Sequence, residues 1–343
     1  MKKTRLLRST VLLALAAGFA YAQKSRSARP DSDMQEVLDA FASLGPQPIE
    51  TLTPQEARRQ PTVADAVRKV LVQRGASTEP EPGVTVTHAH VPTSNGDIPI
   101  HIYTPDGSGP FPVMVYYHGG GFVIADTQTY DASIRSLAKE AQAIMVAVDY
   151  RQAPEHPFPV APEEAYAAYL WTRGHAAEFN GDPRRVAVGG ESAGGNLATV
   201  VSLMARDRNV APPQHQLLIY PVVDDDMTRP SYGKHAQAKP LNKPMMEWFF
   251  RHYGGNPAHP YALPMKAASL AGLPPATVIT AEIDPLQSEG EAYAERLKQD
   301  GVPVACKTYG GVTHEFFGMG AVVRKAREAE RYAGRALRQA FAA

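Results

Sequence analysis

Gly190-Glu191-Ser192-Ala193-Gly194 lies between the short apolar run Val186-Ala187-Val188 and a helix-forming stretch that continues to about Arg208. A strand that turns this sharply into a helix crowds its own backbone at the central serine. The residues two before and two after must then lack side chains. Gly190 and Gly194 meet that need, and Gly195 permits close packing of helix on sheet. Such a turn lifts the Ser192 hydroxyl clear of the main chain. The helix N-terminus behind it favours developing negative charge.

The surrounding pattern alternates. Val113–Tyr117, Ile144–Val148, Val186–Val188, Leu217–Tyr220, Thr277–Thr280 and Val304–Thr308 read as strands. Between them, helices are expected with faces at Ile134, Leu137, Ala138 and Ala141, over Pro162–Trp171, from Ala193 to about Arg208, and over Ser288–Asp300. Alternation of this kind builds a mostly parallel sheet with helices on both faces. Ser288 and Glu291 have capping-box spacing, and Gly301 suits the helix C-terminus. Val322, Ala326, Ala329, Ala333, Leu337 and Phe341 form one face of a last helix.

Upstream, Met34, Val37, Leu38 and Phe41, then Val63, Val67, Val70 and Leu71, mark two short amphipathic helices. Val84, Val86, Ile98, Ile100 and Ile102 alternate about Ser94-Asn95-Gly96-Asp97, which reads as a hairpin. Residues 224–265 interrupt the rhythm with six prolines, yet carry Met245, Met246, Trp248, Phe249 and Phe250. This insertion is expected to form a helical lid. Its bulky residues either line an acyl pocket or hold the lid to the sheet.

The N-terminus has its own logic. Lys2, Lys3, Arg5 and Arg8 precede the apolar run Val11–Ala20, and Ala20-Tyr21-Ala22 offers small residues where a signal peptidase cuts. The run is too short to span a bilayer, which takes about 20 residues. Residues 1–22 are therefore expected to be a signal peptide cleaved near Ala22, giving a secreted or periplasmic protein. Residues 23–82 follow as a polar leader and N-terminal helices, and 83–343 form the main domain. The whole chain has 35 basic and 35 acidic residues. After cleavage 31 basic residues face the same 35 acidic ones, a net charge of −4. The even balance of the whole chain argues against a nucleic-acid binder, which needs a basic surface. The single cysteine, Cys306, excludes an intramolecular disulfide and reads as an inert thiol of a core strand.

Three further places carry chemistry. His118-Gly119-Gly120-Gly121-Phe122 follows a strand, and its glycines let main-chain N–H groups approach one point. Gly120 and Gly121, joined by Ala193, would stabilise an oxyanion, with Gly119 shaping the loop and His118 holding it. A serine nucleophile needs a base, and the base needs a carboxylate. Asp284 is placed just beyond a strand, with Asp224, Asp225, Asp226 and Glu282 as competitors. His314 is the only histidine beyond Asp284, so Ser192, Asp284 and His314 satisfy the order Ser…Asp…His. His88, His90 and His101 on the hairpin lack the accompanying ligands of a metal site.

Together, His118–Phe122, Gly190–Gly194, Asp284-Pro285-Leu286 and His314 resemble the hormone-sensitive-lipase-like (bacterial family IV) esterases of the α/β-hydrolase superfamily. The loop Tyr150–Phe158 resembles the family as well. The resemblance runs from about residue 83 to the end. It implies an eight-stranded, mostly parallel sheet and a cap built from the N-terminal helices and the 224–265 insertion. It also implies hydrolysis of short- to medium-chain carboxylic esters without metal or cofactor. Glu191 stands where many members have Asp, and Gln152 where leucine is common; the first is expected to change little, the second to bear on packing. Hydrolysis of an amide, lactone or carbamate by the same triad, and a ligand-binding relative without catalysis, stay open here. So does a homodimer.

Overall fold

The computed structural model describes residues 28–256 and 258–343. The signal peptide expected over residues 1–22, and most of the leader, lie outside the described residues.

The chain opens with helices α1 (Ser32–Ser43), α2 (Pro54–Ala57) and α3 (Val63–Gln73). Thr62 caps α3 reciprocally with Asp65, satisfying amides that a helix start leaves unpaired. Met34, Val37, Ala66 and Val70 bury the facing stripes of α1 and α3 in one apolar cluster. Strands β1 (Val84–Val91) and β2 (Ile98–Pro105) form the hairpin, with Gly96 at φ +97°. Next come β3 (Phe111–Tyr117), α4 (Asp131–Ala141), β4 (Ile144–Val148), α5 (Val160–His175), β5 (Gly181–Glu191), α6 (Ala193–Asp207) and β6 (Gln216–Ile219). The insertion supplies α7 (Pro230–Lys234) and α8 (Lys243–Tyr253). The fold closes with β7 (Ala276–Ile283), α9 (Gln287–Gln299), β8 (Val304–Thr313) and α10 (Arg324–Ala342).

The eight strands make one sheet in the order β1-β2-β4-β3-β5-β6-β7-β8. The β1/β2 and β2/β4 pairs are antiparallel and the rest parallel. Alternate residues of a strand face opposite sides. Accordingly Val113, Val115 and Tyr117 pack on the side of α5, α6 and α9, whereas Met114 and Tyr116 pack on the side of α4 and α10. This is the expected three-layer α/β architecture.

Three local expectations are corrected. α9 begins at Gln287, so Ser288 is inside the helix and caps nothing; its hydroxyl instead accepts the Ser231 N–H at 3.0 Å. Val322 precedes α10, and the helix buries its stripe from Ala326 onward. Cys306 is exposed rather than a core residue, because β8 is an edge strand whose outer face near Cys306 is uncovered.

Candidate active site

Sheet register brings the distant residues together. β5, β7 and β8 run parallel, and Ser192, Asp284 and His314 are each the first residue beyond one of them. Ile283 pairs with Thr313, so Asp284 and His314 leave adjacent strands at the same level.

Ser192 occupies the tight turn foreseen, at φ +56°, and its N–H donates to Ile219 O at 2.9 Å. The flanking glycines are obligatory. A Cβ on Gly190 would meet Tyr117 O at 2.4 Å, and one on Gly194 would meet the same oxygen at 1.8 Å. Ser192 Oγ lies 3.0 Å from His314 Nε2, and His314 Nδ1 donates to Asp284 Oδ2 at 2.6 Å. The other Asp284 oxygen accepts the Leu286 N–H at 2.8 Å. All three side chains are buried. Burial is the largest single influence and depresses the imidazole's pKa, but the charge and hydrogen bond of Asp284, together with the nearby Glu315 and Glu191, hold His314 above the ordinary histidine value.

The rival carboxylates are engaged elsewhere. Asp224 pairs with Arg229 at 2.6 Å and Lys266 at 2.8 Å, and Asp225 pairs with Lys266. Asp226 accepts from Thr228, and Glu282 accepts the Gly311 N–H at 2.8 Å.

Beside Ser192 runs the glycine loop. His118 Nδ1 donates to Gly119 O at 2.7 Å, and its ring stacks on Tyr150 at 4.4 Å, whose hydroxyl donates to His118 O. Burial lowers the His118 pKa. Gly120 and Gly121 adopt φ +97° and +59°; a Cβ on Gly121 would fall 2.2 Å from the Phe249 ring. Among the described residues, the N–H groups of Gly120, Gly121 and Ala193 have no hydrogen-bond acceptor. These are the three amides read as oxyanion donors.

A cavity of about 760 Å³ opens over Ser192 and His314. Its wall combines Met245, Met246 and Phe249 of α8 with Phe41, Ile49 and Ala57 of the N-terminal segment. Trp248 and Phe250 are not in that wall. Trp248 is buried and donates its Nε1–H to Leu52 O at 3.1 Å, and Phe250 packs on the core. The two readings of the insertion thus divide between its residues. On the hairpin, His101 bonds Asp149 at 2.8 Å and meets the His88 ring edge-on.

A family profile described as alpha/beta hydrolase fold matches residues 114–318. The chain belongs to this α/β-hydrolase family. A carboxylesterase-family profile also matches residues 59–154. LipN of Mycobacterium tuberculosis, a carboxylic ester hydrolase, is 41% identical over 249 residues, covering 70% of this chain and 66% of LipN. An ethyl acetate hydrolase of Pseudomonas putida is 37% identical over 62% of this chain and 68% of its own. The esterase of Pyrobaculum calidifontis superposes with a TM-score of 0.80 at 35% identity, over 90% of this chain and 98% of that one. A thermostable Pseudomonas putida esterase gives 0.84 at 34% identity, over 92% and 98%. Within the α/β-hydrolases, this protein is a hormone-sensitive-lipase-like carboxylic ester hydrolase.

Two features of this α/β-hydrolase escaped the sequence reading. Glu191 is buried, accepts from Tyr116 at 2.5 Å and is also held by Tyr220. Burial, with the nearby Glu315, pushes its carboxyl up to about 7. Gln152 does more than pack, since its amide donates to Ile124 O and Ala125 O at 3.0 and 2.6 Å and braces the glycine loop. Local sequence carries no sign of the tyrosine partners, which come from β3 and from the residue just past β6.

Proposed function

We propose that the protein hydrolyses short- to medium-chain carboxylic esters through a covalent acyl-enzyme on Ser192. The continuous, buried line Oγ–Nε2–Nδ1–Oδ2 beside unpaired amides carries this reading. Ser192 Oγ attacks the ester carbonyl as its proton passes to His314 Nε2, and Asp284 holds the resulting imidazolium. The N–H groups of Gly120, Gly121 and Ala193 stabilise the oxyanion, each worth about 3 kcal/mol of barrier. His314 then protonates the departing alcohol, and water releases the acyl group by the reverse route.

The apolar residues of the cavity wall, Met245, Met246, Phe249, Phe41 and Ile49, support an acyl group held there, and the ethyl acetate hydrolase among the relatives supports a modest length. Residues 1–22 support export with cleavage near Ala22. An organophosphate should label the protein once, at Ser192, and Ser192→Ala should lose both labelling and turnover of p-nitrophenyl butyrate. Turnover that survives in Ser192→Ala would refute the reading.

A further inference from the structure

Glu315, the residue after His314, borders more than the substrate cavity. A second cavity, of about 590 Å³, lies on the side of α3, α4 and α10. Val63, Thr129, Tyr130 and Glu315 belong to the walls of both cavities, so they form the partition between them. Of these four, Glu315 is the one that faces the imidazole.

Glu315 follows His314 directly and takes a left-handed backbone conformation, φ +67°, which is unfavourable for a glutamate. Such strain persists where the surroundings over-determine it, and it gathers at functional sites. The conformation brings Glu315 Oε1 to 3.7 Å from His314 Nε2, the same nitrogen that faces Ser192 Oγ. That separation is too long for a direct hydrogen bond. It suits two groups that share a third, small partner. Tyr130 fixes the carboxyl by donating its hydroxyl to Oε1 at 2.8 Å, and 20% of the Glu315 side chain stays accessible.

We propose that Glu315 positions the hydrolytic water for release of the acyl group, with the second cavity as its source. The assignment rests on the acyl-enzyme reading above. One O–H of the water points to Glu315 Oε1 and the other to His314 Nε2. The water oxygen bonds to the acyl carbonyl carbon while that second proton passes to Nε2. The bond from carbon to Ser192 Oγ then breaks, Oγ takes the proton from Nε2, and a carboxylic acid leaves. Glu315 ends the step as it began, because it acts only through the water. A carboxyl oxygen accepts this hydrogen bond whether or not the group is ionised.

Pre-steady-state release of p-nitrophenol from p-nitrophenyl acetate separates acylation from deacylation. Glu315→Ala should slow deacylation at least tenfold and leave acylation within twofold, so that a burst of one equivalent appears. Glu315→Gln keeps an oxygen at the same place and should recover most of the deacylation rate. Tyr130→Phe frees the carboxyl and should slow deacylation three- to tenfold, which keeps the question answerable if Glu315→Ala fails to fold. Equal losses in both steps, a Gln variant as slow as the Ala variant, or unchanged deacylation in all three would overturn the proposal. Failure of the organophosphate to label Ser192 would instead overturn the acyl-enzyme reading, and this assignment with it.

Discussion

The Tyr116 hydroxyl donates to the Glu191 carboxyl at 2.5 Å, joining the strand that leads into the glycine loop to the residue immediately before Ser192. Tyr220, just past β6, holds the same carboxyl from the other side. The loop bearing two oxyanion amides and the turn bearing the hydroxyl are therefore indexed to each other through one buried acid.

That acid should leave a signature in stability. The Glu191 pKa rises from 4.5 to about 7 in the fold, so the folded state keeps its proton longer than the unfolded chain. Its contribution is fully present below about pH 4.5 and is lost as pH climbs to about 7. Glu191→Gln cannot ionise. Denaturant titrations should show the variant gaining on the wild type across that window, by up to roughly 3 kcal/mol. A difference that does not vary with pH would contradict this.

Asp284→Asn should lower kcat by about 10⁴-fold with the fold preserved. It should also move the acidic limb of the kcat/KM profile. The wild-type base works only when His314 is neutral, and its pKa is raised because Asp284, with Glu315 and Glu191, more than offsets burial. Wild-type activity is thus lost as pH falls through a value above the ordinary one for histidine. Without the charge, burial acts unopposed by Asp284, and the limb shifts to lower pH.

Phe249→Ala should redirect substrate choice. The Phe249 ring packs against Gly121 and forms part of the cavity wall. Removing it should raise the kcat/KM ratio of p-nitrophenyl decanoate to butyrate by about tenfold, the scale on which pocket contacts discriminate chain length. An unchanged ratio would place the acyl group elsewhere.

Gly194→Ala should fail for a purely steric reason. The added carbon would sit 1.8 Å from Tyr117 O and 2.6 Å from His118 O, both backbone atoms. Thermal and denaturant unfolding should show a loss of about 3 kcal/mol, the upper end of overpacking, or no folded protein at all.

The sequence carried the strands, the turn at Ser192 and the pairing of Asp284 with His314, because each is encoded by a local run whose chemistry has few uses. Reading β7 only to Thr280 and β8 only to Thr308 hid the reason those two meet, which is the pairing of Ile283 with Thr313. The exposure of Cys306 follows from strand order across the sheet, which no local pattern states. Glu315 and Tyr130 are 185 residues apart in sequence, so their contact is visible only in three dimensions. Helical spacing separates Met245, Met246 and Phe249 from Trp248 and Phe250 only once the cavity side of α8 is known.

The roof over Ser192 is stitched from two stretches of chain, with Trp248 of α8 tied to the Leu52 carbonyl 196 positions away. Neither stretch can be exchanged alone without baring the mating surface of the other. Chimeras between relatives should therefore keep their selectivity only when both segments are inherited from the same parent, and descent should treat the pair as a single cassette mounted on an unchanging sheet.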